Sequence, residues 1–458
     1  MITLLNSTRC ICILVPLCWW GLKMTVSHAN PPRETPKWTV KSTDEWKAAT
    51  ESAEGLEVNQ GQLVPTGEKT LFRSQLKQSE SPRQLDRIEF TQPPGWTGWK
   101  SESNLGPAGG KDAAIFIPAG DKNYWYLNAT RGGGVYGAWH STDMQNWTHY
   151  PDVIGRDWVT TAEYANGTFY IYYDAPNDED PHLILDNDLT TPEHQDLGKV
   201  FADPSHGSDS GIIRDEDGSF HLFYEDWSPL NARTHSWDSP LAGHTESLDG
   251  IHGFTPHEYP APIDVRAKPT GKIGHYLHPT SEIPYEYEIH DGPQDAFGDY
   301  TLIKVGEYYY LFCDYHPHDG EIGLAYWFSK SLKTRFTWGG TIATGFHPDP
   351  SVGFAEGNFY LFVQRSDSFI SSGPWTNGVT ARGGVDVDGD GNIDQWTDWQ
   401  TVREEYQSKP GFSKIIEAKA ASLDLSTLPA GKGVQFEIKL DSSEERQPIL
   451  DRVDVFWK

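Results

Sequence analysis

Asp209-Ser-Gly-Ile-Ile-Arg-Asp-Glu-Asp-Gly-Ser-Phe-His-Leu-Phe-Tyr224 decides the fold. A leading acid, a short apolar run, a turn ending in Gly and an aromatic-rich run read as strand, tight turn and second strand. The same pattern stands in Asp112-Ala-Ala-Ile-Phe with Gly120 and Tyr124-Trp-Tyr-Leu, and in Thr160-Thr-Ala-Glu-Tyr with Gly167 and Phe169-Tyr-Ile-Tyr-Tyr. It returns in Asp299-Tyr-Thr-Leu-Ile with Gly306 and Tyr308-Tyr-Tyr-Leu-Phe, and in Asp349-Pro-Ser-Val-Gly with Gly357 and Phe359-Tyr-Leu-Phe-Val. The leading residues are separated by 48, 49, 90 and 50 positions.

A period near 49 built from strand, turn and strand is that of a β-propeller, whose blades are four-stranded sheets. The interval of 90 is one blade plus an insertion of roughly 40 residues, about 238–290, rich in His, Pro, Gly and Tyr and expected to form a long loop over one face. A second register agrees. Ser141-Thr-Asp-Met-Gln-Asn-Trp147, Asp186-Asn-Asp-Leu189, Ser236-Trp-Asp-Ser-Pro240 and Ser329-Lys-Ser-Leu332 with Trp338 read as turns that lead to each outer strand.

Outside the repeat, Leu85-Asp-Arg-Ile-Glu-Phe90, Val434-Gln-Phe-Glu-Ile-Lys-Leu440 and Ile449-Leu-Asp-Arg-Val-Asp-Val-Phe-Trp457 alternate with period two, as half-buried strands do. Neither flank alone has enough strands for a stable sheet. The expected fold class is therefore all-β: a five-bladed β-propeller over 108–370, inserted in or followed by a β-sandwich domain drawn from the arms 30–107 and 371–458. The 18 Trp, 21 Tyr, 20 Phe, 44 Gly and 31 Pro fit short strands joined by tight turns.

Residues 1–29 hold Arg9, the 13-residue apolar run Cys10–Leu22 and the small-residue ending Ser27-His-Ala29, which reads as a signal peptide, too short to span a bilayer. The expected mature chain is secreted or periplasmic, without a membrane span. Its removal leaves Cys313 as the single cysteine and takes away Arg9 and Lys23, so a formal charge of -28 becomes -30. Such a chain is a poor partner for nucleic acid. An anionic glycan would need a local arginine, Arg131, Arg233, Arg266 or Arg365.

The innermost strand of each blade lines a propeller's channel, so Asp112, Asp209, Asp299 and Asp349 are expected to converge at one end of the axis. Converging carboxylates suit glycoside hydrolysis, one serving as acid and another as base or nucleophile. The plainer reading of any one of them is a cap on a backbone turn. Aromatic faces stack on sugar rings; Trp139 and Trp158 are the candidates for that contact, with Asp349 and Arg131 as polar partners, although most rings are expected in blade cores. The expected partner is a poly- or oligosaccharide.

At this point the residues resemble a known superfamily. Asp209–Tyr224 resembles the third-blade motif of family 43 glycoside hydrolases, and Ser141–Trp147 the Ser-x-Asp-Leu-x-Asn-Trp element of families 43, 32 and 68. His347-Pro-Asp-Pro-Ser-Val352 is similar to the fifth-blade histidine motif that in family 43 faces an axial metal ion. The resemblance covers roughly 108–370 and implies Asp112 as general base, Asp209 as the residue that orients the acid, and an inverting mechanism. The family's Glu-Gly-Pro element is replaced here by Glu286-Tyr-Glu-Ile-His-Asp-Gly-Pro293, which leaves Glu288, His290 or Asp299 as the acid. The related family 117, which acts on anhydro-galactose ends of red-algal polysaccharides, is thought to use a histidine acid, which keeps His290 in play. The insertion is expected to wall off one end of the channel, which would favour exo action.

Other readings stay open. A polysaccharide lyase would use Tyr285, Tyr287, His275, His278 or His290 to abstract a proton, and a propeller without its acid would bind glycan only. His206, His316, His318 and His347 lack tight ligand spacing, His347 being the metal candidate. Asp386-Val-Asp-Gly-Asp-Gly-Asn-Ile-Asp394 places oxygen ligands at alternate positions, Asp386, Asp388, Asp390, Asn392 and Asp394, with Gly391 at the sixth. With Thr397 at the twelfth position it is not an EF-hand, and a structural calcium is expected there.

Overall fold

The computed structural model describes residues 37–107, 112–129, 135–177, 180–202, 207–226, 242–257, 295–317, 319–364, 366–441 and 447–458. These are nearly all strand, with one α-helix, Thr43–Ala49, started by a capping box in which Ser42 Oγ accepts the Glu45 N–H and Glu45 Oε2 accepts the Ser42 N–H. The expected signal peptide and most of the insertion lie outside the described residues.

Each repeat of the sequence folds into one antiparallel sheet whose strands follow chain order. The first comprises Asp112–Pro118, Tyr124–Ala129, Tyr136–Ser141 and Thr148–Ile154; the second Val159–Ala165, Thr168–Asp174, Pro181–Asp186 and Gln195–Lys199. Gly207–Arg214, Phe220–Asp226, Ala242–Ser247 and Thr255–His257 form the third, and Ala296–Val305, Tyr308–His316, Gly323–Ser329 and Thr337–Thr344 begin the fourth. The fifth has only three strands of its own, Ser351–Ala355, Asn358–Phe362 and Ser368–Ser371; its fourth is Lys100–Glu102, from the stretch read as the N-terminal arm. An unpaired edge is a liability, and this strand from before the repeat covers the one that Ser368–Ser371 would otherwise present.

The turns follow from their residues. Asn166-Gly167 and Glu356-Gly357 have positive φ at both positions (53° and 86°; 49° and 76°), the geometry of a two-residue hairpin turn that matches strand twist. The second strands are continuously apolar because both faces are buried: Tyr309, Leu311 and Cys313 join the cluster shared with the third sheet, whereas Tyr310 and Phe312 join the one shared with the fifth. Clusters of this kind fill every seam between consecutive sheets, and Phe116, Tyr126, Tyr360 and Phe362 fill the seam between the fifth and the first. The first strands also touch in order and return to the start: Ile212 N–H donates to Thr161 Oγ1 (3.2 Å), Val352 N–H to Thr301 Oγ1 (3.2 Å) and Phe116 N–H to Ser351 Oγ (2.9 Å).

Strands from the two ends of the chain pair with each other in two further sheets. One runs Trp38–Val40, Arg452–Trp457, Leu85–Thr91, Ala421–Asp424; the other joins Thr50–Glu54 and Leu71–Ser74 to Gly431–Leu440 and Val379–Asp386. Both contribute to one core that includes Trp46, Phe72, Phe90, Phe436 and Val455.

The C-terminal stretch also reaches into the repeat. Ile415–Lys419 adds in parallel to the inner edge of Ala296–Val305, and the buried Lys414 ammonium donates to the carbonyls of Ala162 (2.9 Å) and Ile212 (2.7 Å), on the first strands of two neighbouring sheets. Glu163, equally buried, accepts from the Tyr164 and Arg214 N–H groups. Burial pushes its carboxyl up from 4.5 to about 7 against the attraction of Lys414, and burial also lowers Lys414. Between pH 4.5 and 7 the folded chain therefore holds a proton that the unfolded chain releases, so this group's contribution to stability falls as pH rises through that window. Glu163→Gln is expected to remove about 2–3 kcal/mol of that fall in urea unfolding between about pH 5 and about pH 7.5; parallel pH dependences for the two proteins would refute the assignment.

Candidate functional site

Asp112, Thr160, Asp209 and Asp299 lie within the opening residues of their first strands, where the ladder is interrupted, and Asp349 stands two residues before Ser351–Ala355. Register shifts fall between Leu127 and Ala129 opposite the start of the first sheet's strand, and between Val159 and Thr161, Ser208 and Gly211, and Gly298 and Thr301 in the next three. An extra residue in one strand re-aims the side chain next to it. Asp209, Asp299 and Asp349 all take up left-handed backbone, with φ of 46°, 50° and 37°. Asp and Asn visit that region more readily than other side-chain-bearing residues, because their short polar groups bond locally. Asp112 opens the strand Asp112–Pro118, opposite Ala129.

In four of the five sheets a buried polar residue that sequence reasoning had passed over stands at or near the end of the aromatic second strand: Asp174, Glu225, Asp314 and Gln364. The signal was present, since these residues close the equivalent runs Phe169–Asp174, Phe220–Glu225, Tyr309–Asp314 and Phe359–Gln364. Asp174 Oδ2 accepts the Asp209 N–H (3.2 Å), and Asp314 Oδ1 accepts the Asp349 N–H (2.9 Å). Gln364 Nε2 donates to Asp349 Oδ2.

His347 stands between two carboxylates, with Nδ1 2.7 Å from Asp314 Oδ2 and 2.6 Å from Asp349 Oδ1. Burial opposes its charge, but hydrogen bonds and attraction to both acids win and raise the imidazole to about 11. Asp299, Asp314, His347 and Asp349 can each offer a ligand atom within 4.8 Å of the others, and His316 forms a second such set with Asp314 and His347. Three carboxylates and one imidazole are a donor set for a hard divalent cation; the His347 imidazolium supplies the compensating charge otherwise.

Trp158, two residues before Thr160, is 43 % exposed and also left-handed, with φ of 55°. Its carbonyl accepts the Asp174 N–H (2.9 Å). Trp139 is placed elsewhere: on a third strand, stacked on His149 of the fourth at 4.0 Å and packed toward the seam of the first and fifth sheets. Arg131, Glu288 and His290 lie outside the described residues, as do His206 and His318.

The acidic loop after Val379–Asp386 forms a separate cluster. Asp386, fully buried, accepts from the Gly389 (2.7 Å) and Gly391 (3.0 Å) N–H groups, and Asp388 and Asp394 bring carboxylate oxygens within 4.8 Å of it and of each other. Asp390 Oδ1 accepts the Asn392 N–H (2.8 Å). Positive φ at Gly389 and Gly391 (86° and 94°) lets the loop close around Asp386.

No protein-family model and no curated protein matches the sequence. Among solved structures, the chain is similar to a thermostable family-43 glycoside hydrolase, at 12 % identity over 72 % of this chain and 99 % of that one, with a TM-score of 0.42. It is also similar to the endo-arabinase of Bacteroides thetaiotaomicron (12 % identity, 59 % and 97 % covered, TM-score 0.42) and to the exo-β-1,3-galactanase of Phanerochaete chrysosporium (10 %, 80 % and 100 %, 0.39).

The left-handed backbone at the leading acids has a measurable cost. Asp209→Asn is expected to leave stability nearly unchanged, whereas Asp209→Ala should lose about 1–2 kcal/mol in chemical unfolding, because a methyl side chain has no local bond to offset the strain. Equal stability of the two variants would refute this account.

Proposed function

We propose that the protein is a secreted glycoside hydrolase acting on a poly- or oligosaccharide, with its site at the leading ends of the first strands. The observation that carries this reading is the arrangement of acids: Asp209, Asp299 and Asp349 occupy equivalent left-handed positions on adjoining strands, Asp112 opens the strand that completes the circle, and the half-exposed Trp158 stands at the same end. Carboxylates grouped beside an aromatic face can bind a sugar ring, donate a proton to a leaving oxygen and activate water.

In this reading the five sheets are the blades of a five-bladed β-propeller spanning about 108–370, and the strands of both arms form a β-sandwich. The seam clusters and the return of the fifth sheet to the first support it. Asp112 serves as general base and Asp209 orients the acid. Asp299 shares a cluster with His347 and two further carboxylates, surroundings that suit holding a cation more than delivering a proton, so the acid falls to Glu288 or His290. A divalent cation held by Asp299, Asp314, His347 and Asp349 would supply positive charge beside the bound sugar. Action is exo and inverting, with the two carboxyls ~6.5–9.5 Å apart if Glu288 is the acid.

The test is a screen of the mature protein on plant and marine polysaccharides and their oligosaccharides, reading new reducing ends and ultraviolet absorbance together. New reducing ends without absorbance are expected, reduced about 10²- to 10⁴-fold in Asp112→Asn. Absorbance from an unsaturated product would mean a lyase, and binding without turnover a glycan-binding protein; either sinks the hydrolase reading.

The loop Asp386–Asp394 is proposed to hold a structural calcium through Asp386, Asp388 and Asp394. Calcium added to the chelated protein is expected to raise its unfolding free energy by roughly 3 kcal/mol at a hundredfold excess over Kd. Asp386→Asn should abolish most of that gain; an undiminished gain in the variant would exclude the loop.

A further inference from the structure

Asp174 makes two bonds at the end of its sheet where the leading residues stand. Its own N–H donates to the Trp158 carbonyl at 2.9 Å, within the second sheet, and its Oδ2 accepts the Asp209 N–H at 3.2 Å, across the seam to the third. Both groups that it grips are non-glycine residues in left-handed backbone, at φ of 55° and 46°. Such strain persists only where the surroundings over-determine it, and for a bulky tryptophan it is a clear outlier. Asp174 itself is 1 % exposed, so its grip is not shared with bulk water.

The same device recurs two seams on. Asp314, near the end of the second strand of the fourth sheet, accepts the Asp349 N–H of the fifth at 2.9 Å, again across 35 residues, and Asp349 is again left-handed. A carboxylate of one sheet thus sets the backbone of the leading acid on the next. At the second seam the backbone N–H of Asp174, not its carboxylate, also holds the carbonyl of the exposed Trp158.

We propose that Asp174 is a positioning residue that locks Trp158 and Asp209 into one geometry, so that an aromatic platform and an axial carboxylate on different sheets present themselves together to a sugar. The consequence for turnover rests on the hydrolase reading; the grip itself does not. Asp174 touches no substrate. It acts through the backbone of Asp209, and a hydrogen-bond acceptor at Oδ2 is what the role requires. The amide oxygen of asparagine meets that requirement and alanine does not.

The experiment compares Asp174→Asn with Asp174→Ala on whichever oligosaccharide the screen identifies. Asp174→Ala is expected to lose about 10- to 100-fold in kcat/KM, chiefly in kcat, as a misplaced group does, while Asp174→Asn stays within about threefold of the parent. In parallel, amide hydrogen exchange at Asp209 should be at least about tenfold faster in Asp174→Ala than in Asp174→Asn. Should the alanine variant fail to fold, Asp174→Glu, which keeps the charge and moves the acceptor, carries the same comparison. A folded Asp174→Ala or Asp174→Glu with parental kcat and parental exchange at Asp209 would overturn the proposal, as would an asparagine variant as impaired as alanine. If the parent protein turns over nothing, the hydrolase reading fails alone, and the exchange measurement still decides the grip.

Discussion

Three side-chain hydroxyls tie the repeat together. First strands of neighbouring sheets lie side by side without a ladder between them, so their backbone N–H groups need other acceptors. Thr161, Thr301 and Ser351 provide them for Ile212, Val352 and Phe116, and the last of these bonds brings the fifth sheet back to the first. Each is worth about 1 kcal/mol by itself, and much more is lost if the buried N–H is left without a partner. Because the hydroxyls act next to the leading positions, the same contacts that close the circle also set how far apart the leading acids stand.

Close approach of the strands restricts the residues at the seams. A Cβ on Gly211 would lie 2.2 Å from the Tyr300 carbonyl oxygen, so only glycine lets the third and fourth sheets meet there. Elsewhere the seams are filled by rings, such as Phe116 against Phe362 at 5.1 Å, whose bulk suits the space between twisted sheets. Lys414 does a related task at another point of the same strands, satisfying two carbonyls of adjacent sheets with one ammonium. The arms are thereby bound to the repeat by a buried charge, which Glu163 accompanies, and their sheets cannot be displaced without exposing or stranding it.

The acids near the leading positions repel one another, and positive charge among them offsets that repulsion. His347 lies between Asp314 and Asp349, so either its own imidazolium or a cation bound to the cluster is what lets three carboxylates share a small volume. Around this cluster Asp174 and Asp314 hold the backbone N–H groups of Asp209 and Asp349.

Much of this was legible in the chain. The period near 49, the leading acids, the aromatic runs and the acidic loop can all be read from residue types and spacing, because strand alternation and turn chemistry are local. The loan of Lys100–Glu102 to the fifth sheet, the intrusion of Lys414, the placing of Trp139 in a seam and the grip of Asp174 on Asp209 could not be read that way. Each joins residues far apart in sequence, or chooses which of two faces a side chain takes. Local pattern says that a strand exists and how its faces alternate; only packing against the neighbouring sheet determines which carboxylate meets which backbone group, and therefore which of the many acids become a site.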